Sequence, residues 1–357
     1  MSTKLNLNTL RKQIDKIDLS IVRLLNERTN IALKIKKFKR EKGLEPYTPD
    51  REKEVLTRLV KLNKGIVKKE SITAIFREIM SAALAVERPL RVTYLGPPAT
   101  FTHIASLKKF GSSVTYLPVE SISDVFTEIE KAHADYGVVP IENSIEGAVN
   151  HTLDMFIDSN LKICSEVLLT ISHNLLSNSP ADRIKKIYSN PQVFGQCRNW
   201  LKSRYANAEL VEISSTTKAA ELASQTKDTA AIASIVASEL YNLRVIAERI
   251  EDYTDNVTRF LVIGNSIPNP TGNDKTSIMF SIKDKVGALH EMLAPFKKNS
   301  INLTKIESRP SKRKAWEYYF YMDFLGHTSD NNVKKALREL TTSCSMLKIL
   351  GSYPVSD

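Results

Sequence analysis

The sequence predicts a multi-domain chain in which an all-helical segment is followed by an α/β segment and then by a small α+β sandwich. Three observations predict it. Residues 5–42 contain neither Gly nor Pro and repeat apolar residues at a three-four spacing. From Arg91 the pattern changes to short apolar runs that alternate with helical stretches. Beyond a Pro- and Gly-containing linker the chain reads strand, helix, strand, strand, helix, strand.

In the first segment Leu7, Leu10, Ile14, Ile17, Ile21, Leu24, Ile31, Ile35 and Phe38 mark one long helix. At ~1.5 Å per residue it spans about 57 Å, more than two short helices can cover, so a second copy of the chain is expected along it as a homodimer or higher homo-oligomer. Gly43 and Pro46 stop this helix. Thr48-Pro49 reads as an N-cap with proline at the first helical position, and Gly65 is expected to close the second helix. A third is expected from Ser71 to Glu87, ended by Pro89, which bounds an all-α domain at residues 1–89.

The α/β segment, 90–266, is marked by Arg91–Leu95, Tyr136–Val139, Ile184–Tyr188, Ala230–Ala233 and the apolar run Phe260–Gly264. Pro268–Asn273 has linker composition. Over 274–357 the elements are expected at 276–282, 286–298, 301–309, 315–325, 331–342 and 346–353, an order that suits a ferredoxin-like α+β sandwich.

The 357 residues, 42% hydrophobic and 25% charged, suit two or three domains with cores of their own. No apolar run approaches a membrane span, and the opening Met1-Ser2-Thr3-Lys4 leads into a helical pattern, so a cytoplasmic protein with no membrane partner is expected. Cys164, Cys197 and Cys344 are scattered and odd in number, which fits packed or idle thiols. Six dispersed histidines and no carboxylate triad give no reason to expect a metal or another cofactor. Of the net charge of +11, a surplus of 10 falls in residues 1–90, which hold 21 Lys and Arg against 11 Asp and Glu. A basic helical segment can bind nucleic acid, anionic lipid or small dianions, or present a solvated face. The aromatics that interleave base-stacking surfaces are missing from it, so no nucleic-acid partner is expected.

Individual positions narrow the choice. The three-four spacing calls for an apolar residue at position 28, yet the sequence has Arg28, whose guanidinium there needs a buried anion: an internal glutamate or a ligand. Lys39 is eleven residues on, about 20° away on the same face and roughly 16 Å along it, within reach of one shared small anion. Arg11 sits about 100° off that face and would serve a different site, across a dimer seam. Leu10-Arg11, Asn26-Glu27-Arg28, Lys37-Phe38-Lys39, Asp50-Arg51-Glu52 and Ala85-Val86-Glu87-Arg88-Pro89 resemble the all-helical chorismate mutase family. The resemblance implies that Arg11 of the partner chain and Arg28 hold the two substrate carboxylates, and that Lys39 and Glu87 donate to the ether oxygen. It also implies that Arg51 and Glu52 line the pocket, with Glu52 on a substrate hydroxyl. Glu87 stands where some members carry Gln, and a carboxyl donates only when protonated. A Claisen rearrangement needs a fixed conformer and positive charge at the ether oxygen rather than a nucleophile, which suits this residue set.

In the central segment Tyr94-Leu95-Gly96-Pro97, Gly137 to Ser144, Tyr188 to Gln192, Ser214-Ser215-Thr216 and Thr258-Arg259-Phe260 resemble the prephenate dehydratase family in order and spacing. That resemblance implies two α/β lobes of the periplasmic-binding-protein type with the substrate between them. Asn143, Ser144 and Ser189 follow strands, where open α/β sheets bind ligands, although turn residues need no further role. Ser215-Thr216 either caps a helix or offers its N-terminus to a carboxylate. Gln196 is either a surface amide or a ligand. The family uses Arg259 for the substrate carboxylate, with Phe260 beside it, and places Thr258 near the departing hydroxyl as donor or proton relay. After Gly96-Pro97 the family usually continues Glu-Gly-Thr-Phe, whereas this chain has Pro98-Ala99-Thr100-Phe101.

In the last segment Gly287-Ala288-Leu289 and Glu307-Ser308-Arg309-Pro310 resemble the phenylalanine-binding motifs of ACT regulatory domains. The three resemblances together imply a chorismate mutase joined to a prephenate dehydratase, with chorismate and prephenate as substrates and phenylalanine as allosteric effector. A catalytically inactive aromatic amino-acid sensor is the alternative.

Overall fold

A computed structural model describes residues 6–43, 47–86, 89–282, 286–311 and 318–356. The chain divides into two compact units, one made of Met1–Thr48, Val55–Leu90 and Phe110–Thr115 and the other of the remaining residues. The first unit is helical, with α1 (Leu7–Glu41), the part of α2 (Pro49–Leu62) that follows Glu54, and α3 (Lys69–Ala85). Asn6 caps α1 by accepting from the amide of Asn8, and Lys39 and Arg40 in its last turn suit the negative end of the helix dipole. Gly43 then turns the chain with a left-handed φ of 65°. No residue of α1 is buried, and Leu7, Ile14, Ile17, Ile31 and Phe38 are each more than half exposed. The Lys36 ammonium ties α1 to the end of α3 by donating to the carbonyls of Leu84 and Val86, at 3.4 and 2.8 Å.

Two ends differ from the sequence expectation. The second helix stops at Leu62 rather than near Gly65, because Asn63 folds the chain over itself: its amide donates to Val67 O at 2.6 Å and its Oδ1 accepts from Gly65 N at 3.2 Å. The third begins at Lys69, two residues early. Among the described residues no helix is long and apolar enough to cross a membrane.

The second unit contains three sheets. Its first elements are β1 (Arg91–Leu95), α4 (Phe101–Phe110), β2 (Thr115–Val119), α5 (Ile122–Glu130), β3 (Tyr136–Asn143), β4 (Gly147–Ala148), α6 (Asn150–Asp158) and β5 (Lys162–Thr170). The chain then crosses to a second sheet through β6 (Asn174–Ser177), β7 (Lys186–Ser189), α7 (Pro191–Gln196), α8 (Arg198–Arg204), β8 (Glu209–Glu212), α9 (Thr216–Gln225), β9 (Thr229–Ala233), α10 (Ile235–Leu240) and β10 (Arg244–Ala247). It returns to the first sheet as β11 (Val257–Gly264). The first sheet has the order β2-β1-β3-β11-β5, with β4 beside β3, and the second β10-β6-β9-β7-β8.

Two chain crossings therefore join the lobes, and they are paired: Ile171 N donates to Asn256 O and Ile250 N to His173 O, at 2.8 and 2.9 Å. β3 runs on to Asn143 past Pro140, which is accommodated because the β3–β11 register shifts between Arg259 and Phe260, leaving Ile141 without a partner on β11 and its carbonyl free to accept from Val149 N at 2.9 Å.

The last domain comprises β12 (Asp274–Ser281), α11 (Ala288–Lys298), β13 (Leu303–Pro310), β14 (Tyr318–Leu325), α12 (Asn331–Ser343) and β15 (Met346–Pro354), with sheet order β13-β14-β12-β15. One sheet face carries Ile278, Phe280, Met322 and Phe324 against Met292 and Phe296 of α11 and Leu337 and Leu340 of α12. The other face, with Met279, Tyr319, Tyr321, Leu350 and Tyr353, continues the core of the first lobe around Ile141, Leu153, Phe156 and Ile163. Gly351 of β15 lies so close to β5 that a Cβ there would overlap the carbonyl of Ile163.

Candidate active sites and effector site

At the lobe crossing, side chains from both lobes meet. Asn143, the last residue of β3, accepts from the amides of Ile145 and Glu146 through Oδ1, at 2.9 and 3.0 Å. Those bonds turn its Nδ2 toward Asn256 Oδ1 at 2.6 Å and Thr258 Oγ1 at 2.8 Å. The Thr258 hydroxyl thus accepts from Asn143, and among the described residues no acceptor takes its proton. Gln196, at the end of α7 in the second lobe, donates to Glu146 Oε1 at 2.8 Å and accepts from Asn256 Nδ2 at 3.3 Å. His173 Nε2 lies 2.7 Å from the same Gln196 Oε1. Ser144 locks the crossing, donating to Asp255 O and accepting from Val257 N, at 3.1 and 3.0 Å. One hydrogen-bonded chain therefore runs from the hydroxyl of Thr258 to the imidazole of His173.

Ser215 caps α9 by accepting from Lys218 N at 3.1 Å, which leaves the first amides of that ten-residue helix as donors for an anion. In the first lobe Ala99 holds a left-handed φ of 65°. Its amide donates to His103 Nδ1 at 3.1 Å and its carbonyl accepts from Ser234 Oγ at 2.8 Å. His103 stacks on Tyr94 with ring centroids 4.8 Å apart, and burial lowers its pKa.

In the helical unit Arg28 is half-buried, and burial lowers its guanidinium from its ordinary value. Among the described residues no carboxylate pairs with it. Lys39, also half-buried, donates to Thr48 Oγ1 at 3.3 Å. Arg11 is exposed.

The chain matches family models for chorismate mutase type II over residues 10–88, prephenate dehydratase over 92–267 and the ACT domain over 276–342. It is 48% identical over 353 residues to the bifunctional chorismate mutase/prephenate dehydratase of Aquifex aeolicus, covering 98% of each chain. With the enzyme of the same name from Pseudomonas aeruginosa it shares 45% identity over 361 residues, covering 99% of each. The chain belongs to the bifunctional chorismate mutase/prephenate dehydratase family. Among solved structures, the prephenate dehydratase of Arthrobacter aurescens in complex with L-Phe superposes with a TM-score of 0.69 at 34% identity, covering 74% of this chain and 90% of that one.

The chain is thus an enzyme that joins a helical mutase, a two-lobed dehydratase and an ACT domain. Of the expected dehydratase residues the structure brings together Asn143, Ser144, Gln196 and Thr258. Three others are placed differently from the expectation. Ser189 is buried and donates to Ile232 O within the sheet at 2.9 Å. Phe260 is core, 2% exposed. Arg259 points its guanidinium away from the cleft into a buried cluster with Glu166, Asp323 and Tyr353. The reason is strand alternation, since consecutive residues of β11 cannot share a face.

In the mutase, Arg51 is exposed and paired with Glu54 at 2.6 Å. Glu52 is buried and paired with Lys109 at 2.9 Å, which occupies one of its oxygens. Glu87 lies outside the described residues.

In the ACT domain Gly287 takes a left-handed φ of 79° immediately before α11, with Ala288 buried and Leu289 exposed. Glu307, Ser308, Arg309 and Pro310 end the edge strand β13, and the Arg309 guanidinium pairs with Asp154 of α6 at 3.1 Å. Sequence reasoning missed Asn256, His173 and Glu146. Asn256 was within reach of it, because it stands two residues before Thr258 and so on the same side of the extended chain. His173 carries no local signal, since only the lobe crossing brings it to Gln196.

Proposed function

We propose that the two activities run at separate sites and that phenylalanine governs the second. In the mutase, chorismate rearranges to prephenate while Arg28, and Arg11 from a second copy of the chain packed along the apolar face of α1, hold its carboxylates. Lys39 and a protonated Glu87 donate to the ether oxygen as it gains negative charge. The half-buried guanidinium of Arg28, with no carboxylate beside it among the described residues, supports an anionic ligand at this place.

In the dehydratase, prephenate binds between the lobes, with the N-terminus of α9 at Ser215-Thr216 toward a carboxylate. The C–CO₂ bond breaks, its electron pair completes the aromatic ring, and the ring hydroxyl leaves as water with a proton supplied through Thr258; the products are phenylpyruvate, CO₂ and water. The observation that carries this reading is the Asn143–Thr258 hydrogen bond: it makes the threonine oxygen an acceptor and frees its proton for the departing hydroxyl. Phenylalanine held at Gly287–Leu289 and Glu307–Pro310 inhibits this step, as feedback in phenylalanine biosynthesis in the cytosol.

The test is an assay of the full chain with chorismate, following prephenate and then phenylpyruvate with and without millimolar phenylalanine. Turnover through both products, with the second suppressed by phenylalanine, is expected. Binding of phenylalanine with no turnover of either substrate would establish an inactive sensor instead.

A further inference from the structure

The β3–β11 register sets Thr258 opposite Asn143 and Arg259 opposite Glu142. Alternation turns the first pair to the cleft and the second to the ACT sheet. There Arg259 makes three charge-assisted or polar bonds: Nε to Glu166 Oε2 at 2.7 Å, Nη1 to Asp323 Oδ2 at 2.6 Å and Nη2 to the Tyr353 hydroxyl at 2.8 Å. Glu142 pairs with Lys305 Nζ at 2.9 Å and lies 3.7 Å from Arg259 Nη1. Ser277 Oγ closes the cluster, 2.6 Å from Asp323 Oδ1 and 2.7 Å from the Tyr353 hydroxyl.

Lys305 of β13, Asp323 of β14 and Tyr353 of β15 touch this one rung directly, and Ser277 of β12 braces Asp323 and Tyr353 behind it, so every strand of the ACT sheet contributes to the cluster. Burial alone would lower the Arg259 pKa, but Tyr353, Asp323 and Glu166 outweigh it and hold the guanidinium charged. The adjoining cavity, about 20 Å³, has room for a water and not for an amino acid, which makes the cluster a contact rather than a second ligand site.

We propose that Glu142 and Arg259 are positioning residues through which the ACT sheet sets the geometry of Asn143 and Thr258, and that inhibition by phenylalanine travels through this rung. The inference rests on the reading of Thr258 as the dehydratase donor and of phenylalanine as the effector. Buried ion pairs with fixed geometry have discrete arrangements, so a shift of the sheet either breaks the cluster or moves the rung with it. The rung is one peptide from the reacting hydroxyl.

The experiment uses the full chain with Lys305→Met and Tyr353→Phe, singly and together. Dehydratase activity is titrated with phenylalanine, and phenylalanine binding is measured separately by calorimetry. Tyr353→Phe removes only a hydroxyl and keeps the shape of the core. If Lys305→Met does not fold, Tyr353→Phe alone decides.

The expected result is phenylalanine affinity within threefold of wild type while the effect of bound phenylalanine on the dehydratase, ordinarily about 5- to 150-fold for coupled sites, falls below about threefold. Wild-type inhibition in both variants overturns the proposal, as does inhibition lost only in proportion to lost phenylalanine binding. A Thr258→Ala chain with undiminished dehydratase activity would instead overturn the underlying assignment of the site, and is measured alongside.

Discussion

Gln196 holds His173 in a single tautomer. Its Nε2 faces the Glu146 carboxylate, which can only accept, so its Oε1 faces His173, and the imidazole donates from Nε2 across 2.7 Å. His173 Nδ1, buried and without a hydrogen-bond partner among the described residues, lies in a ring set nearly at right angles to that of Phe101.

This arrangement has a pH signature. Burial lowers the pKa of His173, against weaker raising effects of Gln196, Glu251 and Glu146, and burial also lowers that of His103. Between the folded values and the unfolded value near 6.5 the unfolded chain binds more protons, so stability is full above about pH 6.5 and declines as pH falls below it. Each histidine contributes a slope of at most about 1.4 kcal/mol per pH unit. Urea unfolding at pH 7.5, 6.5 and 5.5 checks this, and His173→Gln should remove its share of the slope. An unchanged slope in that variant would assign the acid sensitivity elsewhere.

Thr258→Ala removes the oxygen that accepts from Asn143 and the proton it frees. Dehydratase turnover is expected to fall by about 10² or more, the usual contribution of a positioned proton donor, while mutase turnover stays at the wild-type level. Measuring both activities on one preparation separates a chemical loss from misfolding, and equal loss of both would defeat the assignment to separate sites.

Lys39→Ala is expected to cost the mutase about 10² to 10³ in turnover, the size of one lost donor at a developing charge. A drop under threefold would remove Lys39 from the reaction. With Glu87 donating only when protonated, mutase turnover should rise as pH falls from 8 to 5, and Glu87→Gln should flatten that profile.

Ala99 keeps a left-handed φ of 65° that an L side chain disfavours by roughly 1–2 kcal/mol. Ala99→Gly relieves it, and with the added freedom of the unfolded chain a net gain of at most about 1 kcal/mol is expected in thermal or urea unfolding. A loss of stability would show that the methyl, 1% exposed in the core with Leu176 and Ala233, outweighs the strain.

The architecture was legible because periodicity is local: the change at Arg91 and the six-element order after Pro268 were enough to give the sequence of helical, α/β and α+β folds. The meeting of Asn143 and Thr258 was legible because both stand at strand ends. The site was not legible where a residue's surroundings come from another domain. Arg259 stands beside Thr258 in sequence, yet its partners Asp323 and Tyr353 are supplied by strands more than sixty residues away. Glu52 is a similar case, since Lys109 lies far along the chain. The apolar spacing of α1 was read correctly as a helix, but spacing says nothing of what covers Ile14 or Ile31.

The seat of Gly351 against the carbonyl of Ile163 has a consequence for how this enzyme can change. With main chain on main chain there is no cushion of side chains to absorb a slide, so any residue larger than glycine at that place would prise the two sheets apart. Evolution or an engineer can redecorate the exposed face of α12 at little cost, whereas swapping in a foreign sensor requires that it bring its own bare backbone to this one seat.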